Sequence, residues 1–354
     1  MPLLTTTIGA YPKPHWLPIT DWFKKEAGQT VAGGEVTQRM TRALKAPDTE
    51  TEQAAVKATH QAVTDQVEAG ISIPTDGEQR RENYIHYHCR HLEGFDFENL
   101  THRSLRGGAY EADLPSIRAK VRPKGNHFLD RDFRIAQAAT DHPVKITVPG
   151  PLTIMDTTAN IHYADEQQLA FDLADALNFE IRALADVGCR YIQVDEPVFA
   201  RQSERALKFG VECLERCFHG VPEGVTRVMH MCCGYPAKLD DNDYKKADPQ
   251  SYLALAPALD QSTIDQISIE DAHRHNDPAL FELFKRATLI LGSVAIAQSR
   301  IESIDEISAR LGTVLEHIDG HRLVAAPDCG LGYLSRELAI AKLGNLSAAA
   351  RKII

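Results

Sequence analysis

What this chain lacks narrows its chemistry early. No G-x-G-x-x-G or Walker-type glycine loop follows any apolar run, so a nucleotide site on an open, doubly wound sheet is disfavoured. No H-E-x-x-H pair is present, which argues against a metallohydrolase with its general base beside the ligands. No window approaches the roughly 20 apolar residues of a membrane span, and M-P-L-L-T-T-T carries no basic region followed by an apolar stretch. Clustered Lys and Arg are missing too. A formal net charge of −10 and a pI near 5.8 suit neither nucleic acid nor an anionic membrane surface. Cysteine is sparse. Seven Cys, an odd number without framework spacing, suit reduced thiols rather than a disulfide scaffold. These absences lead to the expectation of a cytoplasmic protein with a small-molecule substrate.

The pattern that is present is repeated βα. Runs at Thr5–Gly9, Ile71–Asp76, Val144–Val148, Tyr191–Val194, Arg227–Met231, Gln266–Ile269, Thr288–Ile296 and Leu323–Ala326 each end in a polar or Gly/Pro turn. Between them the periodicity predicts helices over 51–68, 166–187, 277–286, 304–318 and 336–352. Leu169, Leu173, Leu177, Ile181 and Leu184 form one stripe, with Gly188 as a C-cap. Eight strands with interleaved helices predict an α/β fold, a (β/α)8 TIM-type barrel, as one domain over 1–354 with its site at the strand C-terminal ends. The stretch from about 78 to 141 is too long for a βα loop, and Gly107-Gly108 and Arg122-Pro123-Lys124-Gly125 predict an inserted hairpin or flap after the second strand. The segment 22–45, containing Gly33-Gly34, reads as a surface excursion.

Four residues at strand ends carry the strongest chemical signal: His230 and Cys232 in V-M-H-M-C-C-G, Glu270 in Q-I-S-I-E-D, and Cys329 in A-A-P-D-C-G. Residues i and i+2 of a strand share a side, so His230 and Cys232 can reach one ion while Met231 and Cys233 point away. Imidazole, carboxylate and two thiolates make a zinc shell soft enough to take a third thiol as substrate. A lone Cys or His at such a place is ordinarily a buried, satisfied residue; the joint arrangement raises the metal reading above that. Cys213 and Cys217, four apart, read as one packed helix face, and Cys233 as structural. His86, His88 and His91 fall in the flap, where a solvated or substrate-covering surface is expected rather than a second metal site.

With these positions in place, the chain resembles the catalytic C-terminal half of cobalamin-independent methionine synthases and their short stand-alone relatives. The similarity runs nearly end to end, through T-T-T-I-G-A-Y-P (5–12), D-G-E-Q-R-R-E-N-Y (76–84), V-P-G-P-L-T-I-M (148–155), I-Q-V-D-E-P (192–197), H-M-C (230–232), S-I-E (268–270) and P-D-C-G-L (327–331). The resemblance implies zinc on His230, Cys232, Glu270 and Cys329. It further implies homocysteine against the backbone of Ile8, Gly9 and Ala10, its amino group near Glu78 and Asp195. A buried ammonium needs such carboxylates. For Asp195-Glu196-Pro197 the competing reading is a helix N-cap.

The chain departs from that family at three positions. Ala10 stands where the family has Ser; Thr157 falls where folate-dependent members place a pterin-stacking Trp; Gln298 falls where they place an acid His. The expected reaction is zinc-dependent methyl transfer to homocysteine. Its methyl donor is left open between methyl-folate and a methylated corrinoid, with a methyl-delivering partner protein as one route. No proton-donating residue is assigned. Two other readings stand beside it: a zinc thiol alkyltransferase acting on another thiol such as coenzyme M, and a binding protein whose zinc is purely structural.

Overall fold

The structure is a computed structural model describing residues 2–23, 34–44, 48–105, 110–234, 238–241, 244 and 246–353. Its framework is one parallel sheet of seven strands: β1 (Leu4–Thr5), β4 (Lys145–Pro149), β6 (Tyr191–Asp195), β7 (Thr226–Met231), β8 (Gln266–Ile269), β9 (Thr288–Val294) and β10 (Leu323–Pro327). The remaining strands, β2 (Leu92–Leu105), β3 (Tyr110–Pro123) and β5 (Ala159–Asn160), form a separate small sheet. In the larger sheet the order is β1-β10-β9-β8-β7-β6-β4, so the first strand lies beside the last. A doubly wound sheet would instead reverse its order at an internal switch point.

Residues 71–76, expected as a strand, make only two isolated parallel bridges, Thr6 with Ile73 and Thr75 with Lys145. Pro74 has no N–H to give a ladder. The Thr75 N–H goes instead to the Gln66 side chain at 2.9 Å, from the helix Thr49–Glu68. The bridges nevertheless place this segment between the two edges, β1 and β4, of the sheet.

The helices follow their apolar stripes. Glu166–Asp186 buries Leu169, Leu173, Leu177, Ile181 and Leu184 and stops at Gly188, whose φ of +94° is open to glycine without strain. Asp48, Ser303 and Ser335 cap Thr49–Glu68, Ile304–Leu315 and Arg336–Lys352 through side-chain oxygens. The helix predicted over 277–286 shrinks to Pro278–Phe281. Its continuation is drawn off because the Lys285 and Arg286 N–H groups, each at 3.0 Å, bond the Asp260 carboxylate. Cys213 and Cys217 are fully buried on one helix face, as their spacing predicts.

β2 and β3 pair antiparallel, and β3 also meets β5 in parallel. Gly107-Gly108 and Gly33 lie outside the described residues, and part of the 22–45 excursion is the helix Gly34–Leu44. Among the described residues, no helix is long and apolar enough to cross a membrane.

Candidate metal centre and the carboxylates beside it

The β7, β8 and β10 C-terminal ends converge. Ligand atoms of His230, Cys232 and Cys329 all lie within 4.8 Å of one another, with Cys329 Sγ 3.4 Å from His230 Nε2. His230 is oriented from behind: its Nδ1 lies 2.9 Å from Ser268 Oγ, which leaves Nε2 facing the sulfurs. Hydrogen bonding from Cys329, and then His230, draws the Cys232 thiol well below its usual range, while Cys329 is pushed up in turn. Glu270 falls outside the three-residue group. It is buried at the end of β8, and burial, followed by the Cys232 and Asp328 charges, raises its carboxyl well above the usual range. Cys233 also falls outside the group and faces elsewhere: its sulfur meets Arg274 Nη2 at 3.4 Å, and burial pushes its thiol up to about 12.

Beside this cluster lie two buried carboxylates. Glu78 has φ +55°, a left-handed backbone uncommon for a non-glycine residue, directly after Gly77 at +66°. Its Oε1 accepts the Thr147 hydroxyl at 2.8 Å and faces Arg81 Nη1 at 3.5 Å. Arg81 also reaches Asp76 at 3.2 Å and the Thr147 carbonyl at 3.0 Å. Asp195 accepts Gln193 Nε2 at 2.7 Å, and the same amide donates to the Ile8 carbonyl at 2.6 Å. Burial, and then the Glu78 charge, push Asp195 well above the carboxylate range; burial pushes Glu78 up against the pull of Arg81. Two buried carboxylates that disfavour each other's charge ionise more easily beside a cation. Lys145 is the other buried cation near Asp195. Its Nζ has no hydrogen-bond partner among the described residues, and burial holds it down to about 7.

The helix-cap reading of D-E-P belongs to Glu196, not Asp195. Glu196 accepts from Leu152 and Thr153 N–H at 2.9 and 3.0 Å, capping Pro151–Asp156, a role Asp195 does not share. Ile8, Gly9 and Ala10 line the same side. Gly9 O accepts Thr75 Oγ1 at 2.8 Å and Ala10 O accepts Leu331 N at 2.7 Å, so the carbonyls are tied into the frame.

Thr157 turns its hydroxyl back to Thr153 O at 2.8 Å, and Gln298 sits half-buried in the loop after β9. The histidines of the 84–91 segment correct the expectation of a solvated surface. His86 and His88 are buried, His91 stacks on Phe128 at 3.8 Å, and His88 Nδ1 meets Tyr84 O at 2.7 Å. Aromatic packing, with Tyr87 and Phe128 among them, removed these rings from water. Tyr84 faces the site: burial, then Asp195, Cys232, Cys329 and Glu78, raise its hydroxyl well above its ordinary value. Arg81, Thr147, Gln193 and Ser268 were missed in the sequence. Strand alternation points to three of them, since Gln193 precedes Asp195 by two, Ser268 precedes Glu270 by two, and Thr147 shares a side with Pro149.

Set beside known proteins, this arrangement defines a methyltransferase. The chain belongs to the family described as cobalamin-independent synthase, catalytic domain, whose model matches residues 3–352. It is 31% identical over 346 residues to a methionine synthase of Sulfolobus acidocaldarius, covering 97% of this chain and 90% of that one. It is 32% identical over 353 residues to one from Saccharolobus islandicus, covering 98% and 93%. Among solved structures it is similar to a B12-independent methionine synthase from Shewanella sp. W3-18-1 in complex with selenomethionine, at 29% identity, TM-score 0.85 and coverage of 99% and 97%.

Proposed function

We propose that this chain is a zinc-dependent homocysteine S-methyltransferase that forms methionine. The observation that carries the reading is the cluster of His230, Cys232 and Cys329 beside the buried Glu78 and Asp195: a thiol-binding end and an ammonium-binding end at the C-terminal edge of one sheet. The donor set fits zinc, since one imidazole and two thiols already lie close together, with the Glu270 carboxylate available as a fourth ligand. When bound, zinc would favour the thiolate form of a coordinated thiol at neutral pH.

The chain's own residues do the rest. Glu78 and Asp195 receive the substrate ammonium; Arg81 and Thr147 hold Glu78, and Gln193 holds Asp195. Gly9 leaves room for Glu78, because a Cβ there would stand 2.7 Å from its Oε1. Ser268 keeps His230 Nε2 turned toward the sulfurs. With substrate anchored at both ends, the sulfur is aimed at a methyl group approaching from the open end of the sheet. We further infer that the two bridges at 71–76 close the sheet into an eight-stranded (β/α)8 barrel within one domain, 1–354, and that the β2–β3 hairpin is a flap beside its mouth.

For the donor, Thr157 offers no ring to stack on and Gln298 no proton to a departing amine. These residues favour a donor that leaves without a proton, such as a methylated corrinoid carried by a partner, over free methyl-folate. Coenzyme M as acceptor is disfavoured by chemistry: its sulfonate would face two carboxylates where an ammonium belongs. The test is an assay of zinc-loaded protein with homocysteine against methyl-folate, its polyglutamate form and methylcobalamin. Methionine formation from at least one donor is expected; methyl transfer to coenzyme M but not to homocysteine overturns the reading.

A further inference from the structure

The strand ladders stop short of the ligand candidates. β7 and β8 pair last at Met231 and Ile269, one residue before Cys232 and Glu270. β9 and β10 slip register between Ala326 and Pro327, ahead of Cys329. The last backbone bond there runs from Asp328 N to Val294 O at 2.9 Å, so strand pairing ends at the residue before each of Cys232, Glu270 and Cys329. Two side chains outside the ligand set take over.

Asp328, fully buried, accepts the N–H groups of Asp271, Ala272 and His273 at 2.8, 2.8 and 2.7 Å, and pairs with His273 Nδ1 at 2.6 Å. It clamps the three residues after Glu270 to the residue before Cys329. Gly292 on the intervening β9 makes this possible, since a Cβ there would meet Asp328 Oδ1 at 2.1 Å. Tyr252 makes the second tie. Its hydroxyl donates to Met231 O at 2.8 Å and accepts from Glu270 N at 3.3 Å, joining the residue between His230 and Cys232 to Glu270.

We propose that Asp328 is a positioning residue of the metal centre, with Tyr252 as its second tie, and that together they set the spacing of the three ligand-bearing strand ends. The proposal rests on the ligand set proposed above. Asp328→Asn puts an amide N–H₂ where N–H groups point inward, so one face of the clamp repels the loop it held. Tyr252→Phe keeps the ring and removes both ties. Neither side chain belongs to the His230, Cys232 and Cys329 cluster; Asp328→Asn also removes a charge that acts on Glu270, whereas Tyr252→Phe changes no charge, so weakening in Tyr252→Phe and an altered cobalt geometry in Asp328→Asn report spacing.

The experiment is competition between the full-length protein and a colorimetric chelator for zinc, with cobalt(II) substituted in parallel to read ligand geometry from its absorption. Asp328→Asn should still take one zinc per chain but hold it about 10- to 100-fold more weakly, with an altered cobalt spectrum. Tyr252→Phe should weaken it by about threefold or more. Affinity within about twofold of the wild type and an unaltered cobalt spectrum in Asp328→Asn overturn the proposal; should that variant fail to fold, the same result in Tyr252→Phe does so. Cys232→Ser separates the two ideas. If it keeps zinc, the ligand set fails and the brace with it; if it loses zinc while Asp328→Asn holds zinc at wild-type affinity with an unaltered cobalt spectrum, the brace alone fails.

Discussion

Glu78 is held from three sides, by its own left-handed backbone, by Thr147 and by Arg81, and the absence of a Cβ on Gly9 gives it space. Such fixation matters because an ammonium gains most from a carboxylate already in place. Glu78→Gln and Asp195→Asn are each expected to weaken homocysteine binding about 10- to 100-fold, the worth of a charge-assisted hydrogen bond at about 1.5–3 kcal/mol. Calorimetry on zinc-loaded protein measures it, and unchanged affinity in both variants refutes amine recognition. Cys232→Ser with Cys329→Ser should abolish stoichiometric zinc, whereas Cys233→Ser, whose sulfur faces Arg274, should retain it. Metal analysis distinguishes them. At this scale the strand ends that gather His230, Cys232 and Cys329 were legible, because period-two alternation and position in the chain put His230 and Cys232 on one side. Asp328 and Tyr252 were not. Their partners lie as far away as Asp271 and Met231, and only the folded ends bring them together.

Element boundaries tell a similar story. The helices Glu166–Asp186 and Arg336–Lys352 were readable from stripe and cap, since both signals are local. The helix expected over 277–286 and the strand expected over 71–76 are both curtailed where another side chain, Asp260 or Gln66, takes a backbone N–H that the regular element needed, and at 71–76 Pro74 has none to give. Glu196 is the opposite case, a distant side chain that supplies a helix start. Burial raises its carboxyl from 4.5 to about 7, so the folded state binds this proton more tightly than the unfolded chain. Its contribution is full below the unfolded value and disappears as pH rises through the folded one, an effect on the order of 2–3 kcal/mol. The melting temperature of the wild type, measured relative to Glu196→Gln, should therefore fall by a few degrees between about pH 5 and about pH 8. A difference that stays flat across that range contradicts the assignment.

Across the whole molecule, one sheet brings together residues from both ends of the chain. Ile8 and Ala10 near the start meet Gln193 and Leu331. Family and fold class were legible because ordered motifs fall at strand ends throughout; donor identity was not, because it turns on loops such as those of Thr157 and Gln298. Free methyl-folate without added protein is expected to be a poor donor, and brisk steady-state methionine formation from it would restore a folate-dependent reaction. The central claim is that a thiol substrate joins a zinc held by two cysteines of this chain. X-ray absorption at the zinc edge, recorded before and after homocysteine is added, tests it most directly. The sulfur neighbours of zinc should rise from two to three; an unchanged count at saturating homocysteine would mean that the metal is structural and the substrate binds elsewhere.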